Sequence, residues 1–173
     1  SLSYDAFDAP DELDPQAFER SAEQAIEKAR SAGVDMAMSV LRVNAGDALD
    51  RLVGEARAAA IYQSIAASCA LAVGDEGVAR QVDEERTALI HDRTVDLNKL
   101  RAEVEASLAD SGLDSVEVSI DSVCDAPNLE PGVAVQAFVY AMNEAAQSDR
   151  VLDVASLQKV AETMMHENER RLT

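Results

Sequence analysis

The scarcity of large side chains constrains this sequence more than any other feature: three Phe, three Tyr and no Trp leave aromatics at 3% of 173 residues. Hydrophobic residues still reach 47%, so alanine, valine and leucine must supply the core. Small side chains favour close contact between helices, and they disfavour the deep, aromatic-lined pockets that take most small ligands. The length suits one domain, since a single core usually serves on the order of 100–200 residues.

Periodicity points mostly to helices. Residues 1–13 (SLSYDAFDAPDEL) have no period and read as an extended acidic arm, with Leu2, Tyr4 and Phe7 as apolar anchors. The domain proper is expected over 14–173. Asp14 can cap free amides, and Pro15 is tolerated at the first helical position. Leu13 and Phe18 stand at staple spacing across that cap. Phe18, Ala22, Ala25, Ile26 and Ala29 then share a face until Gly33 stops the helix. Residues 34–43 fit two patterns. Val34, Met36, Met38 and Val40 alternate as a strand would, while Met38, Leu41 and their neighbours fit a short helix. Asp47 can cap a second helix running to about Val73, with Ile61, Ile65, Cys69 and Ala72 on one face and Gly74 as its stop.

The spacing predicts the longest helix over 75–109, some 50 Å at the usual rise of about 1.5 Å per residue. Its seam is Val78, Val82, Leu89, Leu97, Leu100, Val104 and Leu108, packed as in a coiled coil or, within one bundle, as a bent helix or two helices broken near His91–Thr94. Val116, Val118 and Ile120 alternate as one short strand, whose edges need either the 34–43 segment or a neighbouring subunit. A central helix follows from 132 to 147, on Ala134, Val135, Ala137, Phe138, Ala141 and Met142. A last helix, capped by Asp153, has a stripe of Val154, Leu157, Val160, Ala161 and Met164. The expected fold is therefore all-α or nearly so: a helical bundle of about five helices with one long helix and a minor β element.

Charge narrows the partners. Acids outnumber bases 33 to 15, for a formal net charge of −18. Such a surface repels phosphate, which argues against nucleic-acid and anionic-membrane binding. A Lys-poor, acid-rich composition resembles that of proteins adapted to high salt. A GC-rich genome would explain the lysine shortage but not the surplus of acids. Cys69 and Cys124 read as reduced thiols. No secretory signal opens the sequence. The apolar run from Ala58 to Val73 is about 16 residues, short of the roughly 20 that a membrane span requires. A cytoplasmic or virion-internal location follows as the expectation.

Catalytic chemistry leaves no recognisable trace. Neither GxGxxG nor GxxxxGK[ST] occurs, nor any CxxC, HxxxH or HExxH. On a helix His91 would have Thr87 and Val95 one turn away, which cannot chelate. His166 has Glu162 and Glu169, one ligand face where a carboxylate-bridged bundle needs two. Cys124 lies beside Asp125, and a neighbouring acid raises a thiol pKa rather than activating it. The acids between Asp5 and Asp14 lack the spacing of a calcium loop. Met36/Met38 and Met164/Met165 could soften a contact surface.

The expectation is thus no catalytic, cofactor or metal residue, no small-molecule substrate, and protein partners, either copies of this chain or other subunits. The favoured function is a non-catalytic assembly subunit, such as a ring, connector or shell component of a tailed-virus virion. Leu2, Tyr4, Phe7, Val116, Val118 and Ile120 are its contact residues. The alternatives are an acidic regulatory or chaperone-like binding module and a carboxylate-metal helical-bundle enzyme.

Overall fold

A four-stranded antiparallel sheet divides the computed structural model, which describes residues 15–45, 49–147, 152 and 156–172. Leu2, Tyr4 and Phe7 of the arm, and the caps expected from Asp14, Asp47 and Asp153, lie outside the described residues. In chain order the elements are α1 (Pro15–Ser31), β1 (Met36–Asn44), α2 (Leu49–Val53), α3 (Glu55–Val73), β2 (Val78–Gln81), β3 (Arg86–Asp92), α4 (Leu97–Asp110), β4 (Glu117–Cys124), α5 (Pro131–Gln147) and α6 (Leu157–Leu172). The strand order is β2-β3-β1-β4.

This sheet overturns the all-α expectation. The physical reason lies in β1, where every residue from Met36 to Leu41 is buried. A strand covered on both faces loses the alternation that marks a half-exposed strand, and it then reads like a buried helix. Successive side chains of β1 enter two separate cores. Met38 and Val40 join Ala88, Ile90 and Val123 beneath Phe18, Ile26, Phe138 and Leu157 of α1, α5 and α6. Leu41 and Val43 join Leu89 and Val118 beneath Leu49, Ile61, Ile65, Leu100, Val104 and Leu108 of α2, α3 and α4.

The helix expected over 75–109 breaks into a hairpin and a shorter helix. Two local features explain the break. A Cβ at Gly77 would stand 2.6 Å from both Cβ and O of Val73 and 2.7 Å from the carbonyl oxygen of Ile90, so only glycine lets the chain leave α3 and enter β2 there. Between β2 and β3, Oδ1 of Asp83 accepts from the amides of Glu85 (2.9 Å) and Arg86 (2.8 Å), closing a turn on a side chain. Only Leu97, Leu100, Val104 and Leu108 of the expected seam stay helical, on α4. Asp96 opens that helix by accepting from the amide of Lys99.

Elsewhere the pattern and the structure agree more closely. In α1 Phe18, Ala22 and Ile26 are buried, and Gly33 follows at φ 72°. In α5 seven residues are buried, Phe138 among them. The helix expected to end at Val73 is interrupted at Gly54, φ 92°, which separates α2 from α3. Among the described residues, α3 is the one helix long and apolar enough to cross a membrane by length and composition. Here its stripe of Ala58, Ile61, Ile65, Cys69 and Val73 rests on the sheet. The strand around Val116–Ile120 runs on to Cys124 and pairs along β1, so its inner edge finds its partner within the chain.

Candidate functional site

The β2–β3 hairpin gathers charge at one end of the sheet. Arg42 of β1 stands directly across from Arg86 of β3. Like charges facing each other across a ladder are destabilising unless each is neutralised. Here both are. Nε of Arg42 donates to Oε2 of Glu85 at 2.9 Å, and Nε of Arg86 donates to Oδ2 of Asp83 at 2.8 Å. Nη1 of Arg86 also donates to the carbonyl of Met142 in α5, tying the hairpin to the helix above it.

The two arginine side chains are only 15% and 12% exposed. Burial alone would raise the Asp83 carboxyl, but hydrogen bonds from Arg86 and from the amides of Glu85 and Arg86 outweigh it and hold the group below its ordinary range. Glu84 differs from its neighbours. It is exposed, with no hydrogen-bond or ion-pair partner among the described residues.

Arg42, Asp83, Glu84, Glu85, Arg86 and Ala146 line a cleft of about 320 Å³. On the other flank of the hairpin, Glu84 and Glu85 border a small cavity of about 30 Å³ with Tyr62 and Thr87. Burial pushes the Tyr62 hydroxyl up, so it stays protonated and can donate. The free carboxylate of Glu84 can accept paired N–H groups at this rim. The donor set fits a protein-held divalent ion poorly. Both oxygens of Asp83 are engaged and Glu85 is spent on Arg42. Among the described residues no group of three or more His, Cys, Asp or Glu could hold a metal.

The residues singled out from the sequence lie elsewhere. Val118 is buried, and Val116 and Ile120 are partly buried, all three packed into the core beneath α3 and α4. His91 is buried on β3, and the neighbours predicted by helical spacing are replaced by strand neighbours. Its Nδ1 lies 2.8 Å from the carbonyl oxygen of Asp92, which places the proton on Nδ1. Nε2 then accepts from the Ser39 hydroxyl at 2.6 Å, and Ser39 accepts in turn from Ser122 at 2.7 Å. Burial lowers the pKa of this imidazole. His166 is exposed on α6. Cys69 is buried, its thiol pushed up to about 12 by desolvation, while Cys124 is exposed. The sequence reading missed Arg42 and the Asp83–Arg86 run altogether. The available signal was a four-residue charged run between two apolar segments, headed by an aspartate able to cap its own turn.

No family model matches the sequence, and no curated protein does. The fold, by contrast, is shared with solved structures. The GGDEF domain of DgcB from Caulobacter crescentus, solved in complex with c-di-GMP, superposes with TM-score 0.56 at 15% identity, over 90% of this chain and 99% of that one. The GGDEF domain of PA1120 (YfiN or TpbB) from Pseudomonas aeruginosa gives TM-score 0.56 at 13% identity, over 81% and 96%. The diguanylate cyclase SiaD from Pseudomonas aeruginosa, in complex with its activator SiaC, gives 0.52 at 17%, over 78% and 55%.

This fold is shared with GGDEF domains, one of them within a chain called a diguanylate cyclase, rather than with shell or connector subunits. It corrects the expectations of a non-catalytic assembly part, of a virion component and of a protein that is no enzyme. The helical-bundle enzyme falls with the bundle itself, since a sheet occupies the centre.

Proposed function

We propose that this chain is a domain of the diguanylate-cyclase class that takes a guanine nucleotide at the β2–β3 hairpin. The observation that carries the reading is the free carboxylate of Glu84 at the rim of a cleft whose two arginines are held by Glu85 and Asp83. A carboxylate can accept from both N–H groups on the guanine edge. The fold supports it, because a domain of the same fold is solved with c-di-GMP and another is called a diguanylate cyclase. Read as residues, the five letters GGDEF occur nowhere in this chain. Gly-Asp-Glu appears once, at 74–76 between α3 and β2, and the hairpin is Val82-Asp83-Glu84-Glu85-Arg86 without glycine.

The test is calorimetric titration of the protein with GTP and with c-di-GMP in magnesium buffer, the same samples being assayed chromatographically for conversion of GTP to c-di-GMP. Saturable binding that weakens at least tenfold in Glu84→Gln is expected, and conversion would add turnover to binding. Absence of binding by both nucleotides at millimolar concentration, or a Glu84→Gln variant that binds equally well, would overturn the reading.

A further inference from the structure

The sheet ends on two edge strands of different character. On one side β2 has four residues, all partly buried, with α1 and α3 packed against it. On the other side β4 has eight residues and packs mainly on α4. The amide of Asp125 bonds to the carbonyl of Met36, and this fixes the alternation along the β1–β4 ladder. Residues 117, 119, 121 and 123 turn their backbone groups toward β1. Val118, Ile120, Ser122 and Cys124 turn theirs away from it. Among the described residues no backbone group outside the sheet bonds to these outward amides and carbonyls. Val118 is buried, but Ser122 and Cys124 are exposed, so the open stretch runs from about Ile120 to Cys124. An unpaired strand edge is a template for a further strand.

Charge selects what can occupy it. Glu117 and Asp121 are exposed along the same strand. A second copy pairing antiparallel about Ser122, the centre of that stretch, would bring together two chains each of net charge −18. Repulsion between two such chains opposes the pairing. Alternating lysines or arginines on an extended segment would instead meet both acids. We propose that the β4 edge, Ile120 to Cys124, docks an extended basic segment of a partner protein as an added strand. Backbone bonds supply the contact and the acids supply the selectivity, since the Val118 and Ile120 side chains are already packed inside.

The experiment uses the full chain, labelled with ¹⁵N and free of nucleotide, so its outcome is independent of the hairpin reading. The probes are two octapeptides of alternating Val/Thr with Lys or with Glu at every second position. The Lys peptide is expected to bind at least tenfold more tightly than the Glu peptide, to weaken with added salt, and to protect the amides of Ile120, Ser122 and Cys124 from hydrogen exchange. Ser122→Pro removes an outward N–H and leaves the bonds to β1 intact, so it should abolish binding. Ser122→Ala loses the same hydroxyl but keeps the N–H, and should bind within twofold of the parent. Reversing Glu117 and Asp121 together to Lys should invert the preference between the peptides, which tests the idea even if the proline variant does not fold. Equal binding of the two peptides, protection away from β4, or concentration-dependent dimerisation that protects β4 without peptide would each overturn the proposal.

Discussion

On one face of the sheet Phe18 and Phe138 meet with ring centroids 6.4 Å apart, above Met38, Val40, Ala88 and Ile90. On the other face no phenylalanine is present among the described buried residues, and Ser39 and His91 bond to each other on the side of the sheet that carries Leu41 and Leu89. The first core is held by shape and apolar area. The second combines smaller side chains with a polar group that had to be satisfied before it could be buried at all. The two faces should therefore fail in different ways: one when volume is removed, the other when a bond or a proton is changed.

The largest expected effect is on the first face. Phe138 is fully buried, and Phe138→Ala should cost about 3–5 kcal/mol, measured by urea unfolding at neutral pH. Ser39→Ala on the second face removes almost no volume but leaves Nε2 of His91 unpaired, and should cost about 1–3 kcal/mol. If the serine variant proved as damaging as the phenylalanine variant, the contrast between the faces would collapse.

Acid should separate the faces more sharply. The folded pKa of His91 lies below its ordinary 6.5, so the unfolded chain binds the proton more readily. Stability from this group is complete above about pH 6.5 and declines as pH falls from there toward the depressed folded value. His91→Leu should flatten that decline, while Phe138→Ala should preserve it. Asp83 acts in a lower window. Its folded pKa is depressed below 3.8, so its contribution is lost only as pH falls through that range.

The smallest effect concerns the surface shared by both faces. With a net charge of −18, the thermal midpoint should rise by a few degrees from low millimolar to molar sodium chloride, beyond the rise of a charge-poor control protein. Phe138→Ala and Ser39→Ala should rise in parallel with the parent, because neither touches a surface charge. A flat response would remove self-repulsion as a factor.

How much of this was legible depended on how many faces an element buries. In α1 one face is covered and the other wet, so the 3.6-residue period of Phe18, Ala22 and Ile26 stood out. The alternation of Val116, Val118 and Ile120 survived because β4 lies at an edge. By contrast, β1 and β3 are covered on both sides, and Thr87 to His91 is a continuous buried run with no period to read. The hairpin also lacked the usual punctuation. Its turn contains no Gly, Pro or Asn and depends on the side chain of Asp83, so Val78, Val82 and Leu89 fell by accident into a helical spacing that extended into α4. The candidate site was hidden for the same reason. Arg42 and Arg86 are 44 positions apart in sequence, and only the β1–β3 ladder sets them face to face.

Ser39 has one more consequence, which concerns how the chain finds its alignment. Its two bonding partners lie 52 and 83 residues away, on the strands to either side. A slip of one residue along β1 would turn Ser39 toward the phenylalanine face and bring Met38 or Val40 against the imidazole of His91. In a strand whose other buried side chains are all apolar, hydrophobicity alone would not single out one pairing. The serine and histidine make one alignment of three strands distinctly better than its neighbours, so this small polar pair acts as the sheet's alignment mark during a slow, long-range search.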